Sequence, residues 1–376
     1  MKNNRFLVFI LFVVALSLMG YSKFTDLGGD PSMVKVKRVI TVQYKLKEGD
    51  FLYDKFKGWT MDGKYIMIVE EDEGKTLLYD KEGKYFKKLE GKYLFMSYSG
   101  ERFFTEDNSE YRVYDTKTWK LIKKFKIKEK RKIKPFAFYK ELNKVLSLET
   151  KYVNNNKYEL KIIKYDYING GKEIVCEINS CNRIYNLIYI PDYKLYYSKY
   201  YCKGSIKRGT SEYLLDLKTC KIKNIWDRGI SEVFRLKDRY VFEDNIGRII
   251  DLKDLKTIKY VKLLLKPELN QNLKKHYGYV DLWDGRIFPN AKLYLQNIGT
   301  FNDTEGGDYP LDSYIFVCDL DMKKRRMLKL KSPTTLPEIL NFFSPEGDRF
   351  VAMRDYKKFV IIVLERRGGR VMNAEL

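Results

Sequence analysis

Residues 111–125 read YRVYDTKTWKLIKKF. An apolar run ends at Asp115, a short Thr/Lys turn follows, and a second strand-like run begins at once. β-Branched and aromatic residues on both sides of such a turn are the mark of a hairpin. The arrangement recurs: TLLYD before KEGKYFKKL, IIKYD before YINGGKEIVCEI, YLLDL before KTCKIKNIW, RIIDL before KDLKTIKYV, FVCDL before DMKKRRMLKL and IIVLE before RRGGRVM. The acidic residues are Asp80, Asp115, Asp166, Asp216, Asp251, Asp319 and Glu365, at intervals of 35, 51, 50, 35, 68 and 46 residues, about 47 on average. A period near 45 residues built from short strands lies in the range of β-propellers.

A second signature stands upstream of most copies, where a polar tight turn precedes an apolar strand: WTMDGKYIMIVE from Trp59, MSYSGERFFTE from Met96 and FFSPEGDRFVAM from Phe342. Together the two signatures give four antiparallel strands per unit, which is one propeller blade. Seven Asp turns predict an all-β chain with seven four-stranded blades over residues 34–376, six or eight being the alternatives. The segment Val34 to Leu46 is expected to complete the last blade, because an N-terminal strand that closes the ring leaves no open sheet edge. Helical periodicity is limited to Lys266 to Lys275.

FSPEGDRFVA at 343–352 and YDTKTWKLIKKF at 114–125 resemble the strand signatures of bacterial TolB-like and YVTN-type β-propellers. The resemblance implies a propeller fold. It is compatible with binding scaffolds and with lyases, lactonases or dehydrogenases alike, so function has to come from the site. The WD-repeat hallmark is not matched, since no Gly-His pair appears and the strands end in YD or DL.

Lys2 and Arg5 precede an uncharged run of sixteen residues, Phe6 to Tyr21, which is the layout of an export signal. Residues 1–22 are expected to be a signal peptide or an uncleaved membrane anchor, and residues 23–33 a linker. Either way the remainder is secreted or held outside the cytoplasmic membrane. The five cysteines form neither a CxxC nor a zinc pattern. An odd count leaves at least one thiol unpaired; the first expectation is small apolar fillers in strands, the alternative disulfides pairing 176 with 181 or 202 with 220.

A single histidine, His276, among 376 residues excludes His-rich metal sites and leaves a Ser-His-Asp triad only one candidate. No catalytic residue is assigned. The formal charge of +22 concentrates on fourth strands and the loops beside them. These include Lys123, Lys124, Lys126, Lys128, Lys130, Arg131 and Lys132, then Lys323, Lys324, Arg325 and Arg326. A basic rim meets anionic lipid or wall polymer in a salt-dependent way; it equally protects edge strands from pairing.

Acidic residues gather in the loops between second and third strands: Asp72, Glu106, Asp107, Glu243, Asp244, Asp303, Glu305, Asp308 and Asp312. In a propeller those loops share one face, which is the expected ligand face. No cofactor is expected; Ca²⁺ is the cation such oxygens would suit, although the EF-hand spacing is missing. The sequence therefore points to a monomeric, non-catalytic scaffold at the cell surface, binding a partner protein, an anionic wall polymer or a membrane surface, and not nucleic acid. The alternative is a secreted hydrolase or lyase that attacks a glycan through Asp and Glu.

Overall fold

Runs such as IMIV at 66–69 are continuously apolar rather than alternating, which demands burial on both faces of a strand. The computed structural model meets that demand by stacking sheets face to face. It describes residues 25–29, 35–44, 55–127, 133–154, 157–180, 184–190, 194–200, 210–227, 232–236, 239–243, 248–252, 254–260, 279–288, 293–301, 312–319, 325–330, 344–355 and 358–365. The hydrophobic run at 6–21, the helical candidate at 266–275 and His276 lie outside them.

The chain divides into two compact units. The first, residues 1–53 with 264–375, contains β1 (Thr25–Gly29) and β2 (Lys35–Gln43) from the N-terminal end. These join β23 (Tyr279–Phe288), β24 (Leu293–Phe301), β25 (Asp312–Asp319), β26 (Arg325–Leu330), β27 (Arg349–Asp355) and β28 (Lys358–Glu365). β2 pairs with β28, as expected of a strand that completes the last blade. Residues 25–29, read above as linker, are instead a strand. β1 adds to the outside of β26 and makes a five-stranded sheet, so the Arg325–Arg326 strand is not an edge.

The second unit, residues 54–263, holds five four-stranded sheets. They are β3 (Phe56–Trp59) to β6 (Tyr85–Glu90) with β4 (Tyr65–Glu70) and β5 (Lys75–Asp80) between; β7 (Lys92–Met96), β8 (Arg102–Asp107), β9 (Glu110–Asp115) and β10 (Leu121–Lys126); β11 (Ile133–Phe138), β12 (Lys144–Asn154), β13 (Lys157–Asp166) and β14 (Lys172–Ser180); β15 (Ile184–Ile190), β16 (Lys194–Tyr200), β17 (Thr210–Asp216) and β18 (Ile222–Asp227); and β19 (Glu232–Leu236), β20 (Arg239–Glu243), β21 (Arg248–Asp251) and β22 (Thr257–Tyr260). First strands of neighbouring sheets meet, β11 touching both β7 and β15. Seven sheets are present among the described residues, and each of the seven acidic residues of the repeat ends a strand.

In the turns of Asp80, Asp115, Asp166 and Asp216 the carboxylate accepts backbone amides of its own turn. Asp166 takes those of Ile168 and Asn169 at 3.0 and 2.9 Å, and Asp216 those of Lys218 and Thr219 at 2.9 and 3.0 Å. These bonds hold both carboxyls below the usual aspartate range. The amide four residues on returns to the Asp carbonyl, from Trp119 at 2.6 Å, Gly170 at 2.7 Å and Leu255 at 2.8 Å. That residue is forced into the left-handed region, with φ of 54° at Trp119, 55° at Cys220 and 60° at Leu255. A side chain in that conformation is strained, and here its tip crosses to the preceding sheet. Trp119 packs among Met67, Leu78 and Leu89 of the first sheet, and Leu255 joins Ile190, Tyr196 and Leu214 of the fourth.

At Cys220 the crossing is covalent. Cys220 is bonded to Cys176 of β14, with Cα atoms 5.6 Å apart, within the normal span of a disulfide. The pairings 176 with 181 and 202 with 220 are therefore both replaced. The reason is geometric: sheet stacking brings the outer strand of one sheet under the turn of the next, a proximity that chain spacing hides.

The hairpin turns between first and second strands share another device. Thr60, Ser97 and Ser344 are buried, and each hydroxyl accepts the amide five residues later, at 3.0, 3.0 and 3.1 Å. This explains the T-x-x-G and S-x-x-G spacing of the second signature.

Two outcomes follow. Reduction of the Cys176–Cys220 bond, which closes a 44-residue interval, should lower stability by about 4 kcal/mol. Thermal unfolding with and without reductant, compared with a Cys176→Ser/Cys220→Ser variant, measures it, and equal midpoints would refute the staple. Gly91, at φ 91°, connects the first two sheets, and a Cβ there would stand 2.4 Å from Thr105 Oγ1. Gly91→Ala should cost at least ~2 kcal/mol in urea unfolding, from strain and lost packing.

Candidate functional site

The sheets have two chemically different ends. In the second sheet Lys92 pairs with Glu106 and Met96 with Phe103, so β8 carries Glu106 and Asp107 to the end opposite the Asp turns. The exposed Asp72 occupies the corresponding loop of the first sheet. The two loops meet, because Gly74 lies directly against the Asp107 carboxylate. Sequence reading placed these acids on a common end, and in the first two sheets they are together.

Their charge is largely answered locally. Around Asp72, Glu71 bridges to Lys92 at 2.7 Å, and Glu73 to Lys75 at 3.1 Å. The largely buried Arg112 takes Glu110 at 2.6 Å and Asp107 at 3.5 Å, and Lys124 reaches Glu110 at 3.0 Å. The Lys124 hydrogen bond, then the Arg112 charge, hold Glu110 below its ordinary value. Glu106 faces Tyr111, whose hydroxyl is pushed up to about 12, first by burial and then by the Glu106 charge. Glu243 ends β20 and Asp312 begins β25; Asp244, Asp303, Glu305 and Asp308 lie outside the described residues. Among the described residues no three His, Cys, Asp or Glu side chains converge as metal ligands.

Of the basic rim, Lys123, Lys124 and Lys126 lie on β10, the outer strand of its sheet. Lys128, Lys130, Arg131, Lys132, Lys323 and Lys324 are outside the described residues, and Arg325 and Arg326 start β26.

The third sheet carries a feature that residue types alone did not announce. β12 and β13 continue past the loops of the first two sheets through the pairs Thr150–Leu160, Lys151–Glu159 and Tyr152–Tyr158. β13 begins four residues earlier than β9 relative to its Asp turn, a projection of about 13 Å at ~3.3 Å per residue. β14 supports it through Tyr158–Ser180. Near the tip Tyr152 is 58 % exposed and Val153 50 %. Lys151 and Lys161 flank Glu159 at 3.2 and 3.4 Å and lower its pKa, Lys151 contributing most. The lengthened interval of 51 residues before Asp166 was the available signal.

A cavity of about 130 Å³ opens between the first strands β7, β11 and β15, lined by Met96, Tyr98, Phe136, Phe138, Ile188 and Tyr189. Met96 ends β7 and Phe138 ends β11, so the cavity lies toward the end opposite the acidic loops. Its size suits one side chain rather than a ligand of ~300 Å³ or more.

Trp59 and Trp119 are buried and serve packing. Among the described residues no helix is long and apolar enough to cross a membrane.

Comparison with known proteins gives the fold. The chain is similar to an oligogalacturonate lyase solved in complex with manganese, at 12 % identity over 92 % of this chain and 96 % of that one, with a TM-score of 0.53. Further matches are the β-propeller domain of Cps50 (Swd1) from Myceliophteria thermophila, at 11 % identity over 86 % and 99 % of the two chains and TM-score 0.46, and the WD40 domain of SCAP from fission yeast, at 9 % identity over 92 % and 98 % and TM-score 0.42. The chain has a β-propeller fold, the class expected from its Asp-turn period. No family model and no curated relative matches it.

The ion-paired loop end has a titration signature. Carboxyl-carbon NMR should place the midpoints of Glu110 and Glu159 below the ordinary 4.5. Both values are depressed, so their contribution to stability is present above that pH and is lost as pH falls through the folded values. Lys151→Met should move Glu159 upward while leaving Glu110 in place.

Proposed function

We propose that the protein is a non-catalytic, extracytoplasmic binding scaffold that recognises a protein partner at the loop end of its sheets. The observation that carries this reading is the projecting β12–β13 hairpin. Exposed aromatic and aliphatic side chains at the tip of a rigid, three-strand-supported finger form a contact surface of low ordering cost. The neighbouring loops of the first two sheets, with alternating carboxylates and lysines, form a polar surround suited to orientation and specificity.

A location outside the cytoplasm is supported by two features. The N-terminal charge and apolar pattern is that of an export segment. The Cys176–Cys220 bond belongs to oxidising surroundings. Whether the export segment is cleaved decides between a secreted scaffold and an anchored one. The TolB-like strand signatures accord with an envelope role.

The glycan hydrolase or lyase reading shares the fold of the oligogalacturonate lyase. The described loop-end carboxylates favour binding over acid–base chemistry, because Asp107, Glu110 and Glu159 are committed to Arg112 and lysines.

A photo-crosslinking residue placed at Tyr152 or Val153 of the full chain, expressed in its native envelope, should give one discrete protein adduct. The same residue at Lys81, on the opposite end, should not. Identical adducts from both positions, or none from the finger, would overturn the assignment.

A further inference from the structure

Outer strands at a propeller edge are commonly guarded by lysines, but four of these carry exposed apolar groups as well: one each on β14 (Ile174) and β18 (Ile222), and adjacent pairs on β6 and β10. β6 begins with Tyr85 and Phe86, 56 % and 45 % exposed, and β10 begins with Leu121 and Ile122, 49 % and 39 % exposed. The two beginnings lie side by side. Trp119, two residues before Leu121, meets the Phe86 ring at 6.4 Å, and Lys87 Nζ donates to the Trp119 carbonyl at 2.8 Å.

Lysines surround this apolar cluster: Lys84, Lys117 and Lys120 are exposed, and Lys123 follows on β10. Of the nearby acids, Glu101 pairs with the exposed Lys117 at 3.8 Å, and Asp80 and Asp115 are engaged by their own turns. Asp80 accepts the amides of Glu82 and Lys84, both at 2.9 Å, and Asp115 accepts Thr118 and the Arg102 guanidinium, each at 2.9 Å. The outward chemistry is thus apolar at the centre and cationic around it.

We infer that the beginnings of β6 and β10 form an amphipathic patch that docks on an anionic lipid bilayer. Tyr85, Phe86, Leu121 and Ile122 would sit at headgroup depth, where aromatic rings are favoured, while Lys84, Lys117, Lys120 and Lys123 contact lipid phosphates. A polymeric wall anion would use the lysines but leave the apolar centre in water, so the bilayer is the occupant that uses both. The inference rests on the reading of the chain as an extracytoplasmic scaffold and adds the surface on which it lies. The partner finger is at the other end of the sheets, so the two assignments fail separately.

Hydrogen–deuterium exchange of the full chain, mixed with phosphatidylglycerol/phosphatidylcholine vesicles, tests the patch. Residues 81–88 and 116–124 should exchange at least about fivefold more slowly than with phosphatidylcholine alone, and the difference should shrink as salt rises. Leu121→Ser/Ile122→Ser should abolish that protection. Lys117→Gln/Lys120→Gln/Lys123→Gln should weaken vesicle affinity by roughly a hundredfold, at about fivefold per lysine. Each variant is accepted once its unfolding midpoint and its Tyr152 crosslink match wild type. Equal protection on neutral vesicles, equal protection by soluble polyphosphate, or full protection in the Leu121→Ser/Ile122→Ser variant would each overturn the inference.

Discussion

The turn carboxylate that binds its own backbone is the constraint from which much of the second unit follows. Once Asp115, Asp166 or Asp216 has accepted the amides two or three residues on, the chain reverses in a fixed geometry. The residue at the fourth position must then adopt positive φ, and its side chain is aimed at the neighbouring sheet. Local hydrogen bonding therefore determines a long-range contact. The residue after the Asp adds to it: Tyr167 packs into the second sheet's layer and Leu217 into the third's. The same turn accepts Trp, Gly, Cys or Leu at the strained position, so the contact it makes differs from sheet to sheet while the backbone repeats. Gly170, which offers no side chain, relies on Tyr167 for that role.

Face-to-face stacking has a consequence for function. The middle strands have both faces buried, as the runs of buried residues in β4, β5 and β9 show. Recognition is left to the loop ends and the outer strands. The loop end is free to vary because register is fixed at the other end by the Asp turn and the Ser/Thr hairpin turn. Lengthening β12 and β13 outward disturbs no core contact of the first two sheets. A finger built this way inherits the rigidity of the sheet beneath it, unlike a loop of equal length.

Features that depend on local chemistry were legible from the sequence. All seven acidic residues end strands, the polar turns are hairpins, and β2, within the 34–46 segment, pairs with the last strand of the repeat. Features that depend on stacking were not. Cys176 and Cys220 are 44 residues apart, and only the overlap of one sheet's outer strand with the next turn makes them neighbours. Strand β1 is short and glycine-rich, TDLGG, with no apolar alternation to mark it; its partner β26 supplies the reason it is a strand. The neutralisation of the acidic loops was hidden, because Lys92 and Arg112 meet Glu71 and Asp107 through sheet register rather than sequence adjacency.

The charge surplus is a weaker guide than its local partners. On β10, Lys124 is held by Glu110, while Lys120 and Lys123 stand with Leu121 and Ile122. Edge protection explains lysines on an outer strand but not exposed aliphatic groups among them, which raise the risk of the very association that lysines prevent. Phe86 does not escape into the core even though Tyr65 and Trp119 lie within ring contact. The inferred docking asks for a surface that tolerates both kinds of group. A bilayer headgroup region does so, and a single basic edge in contact with it would leave the projecting finger, at the far end of the sheets, free to meet a partner.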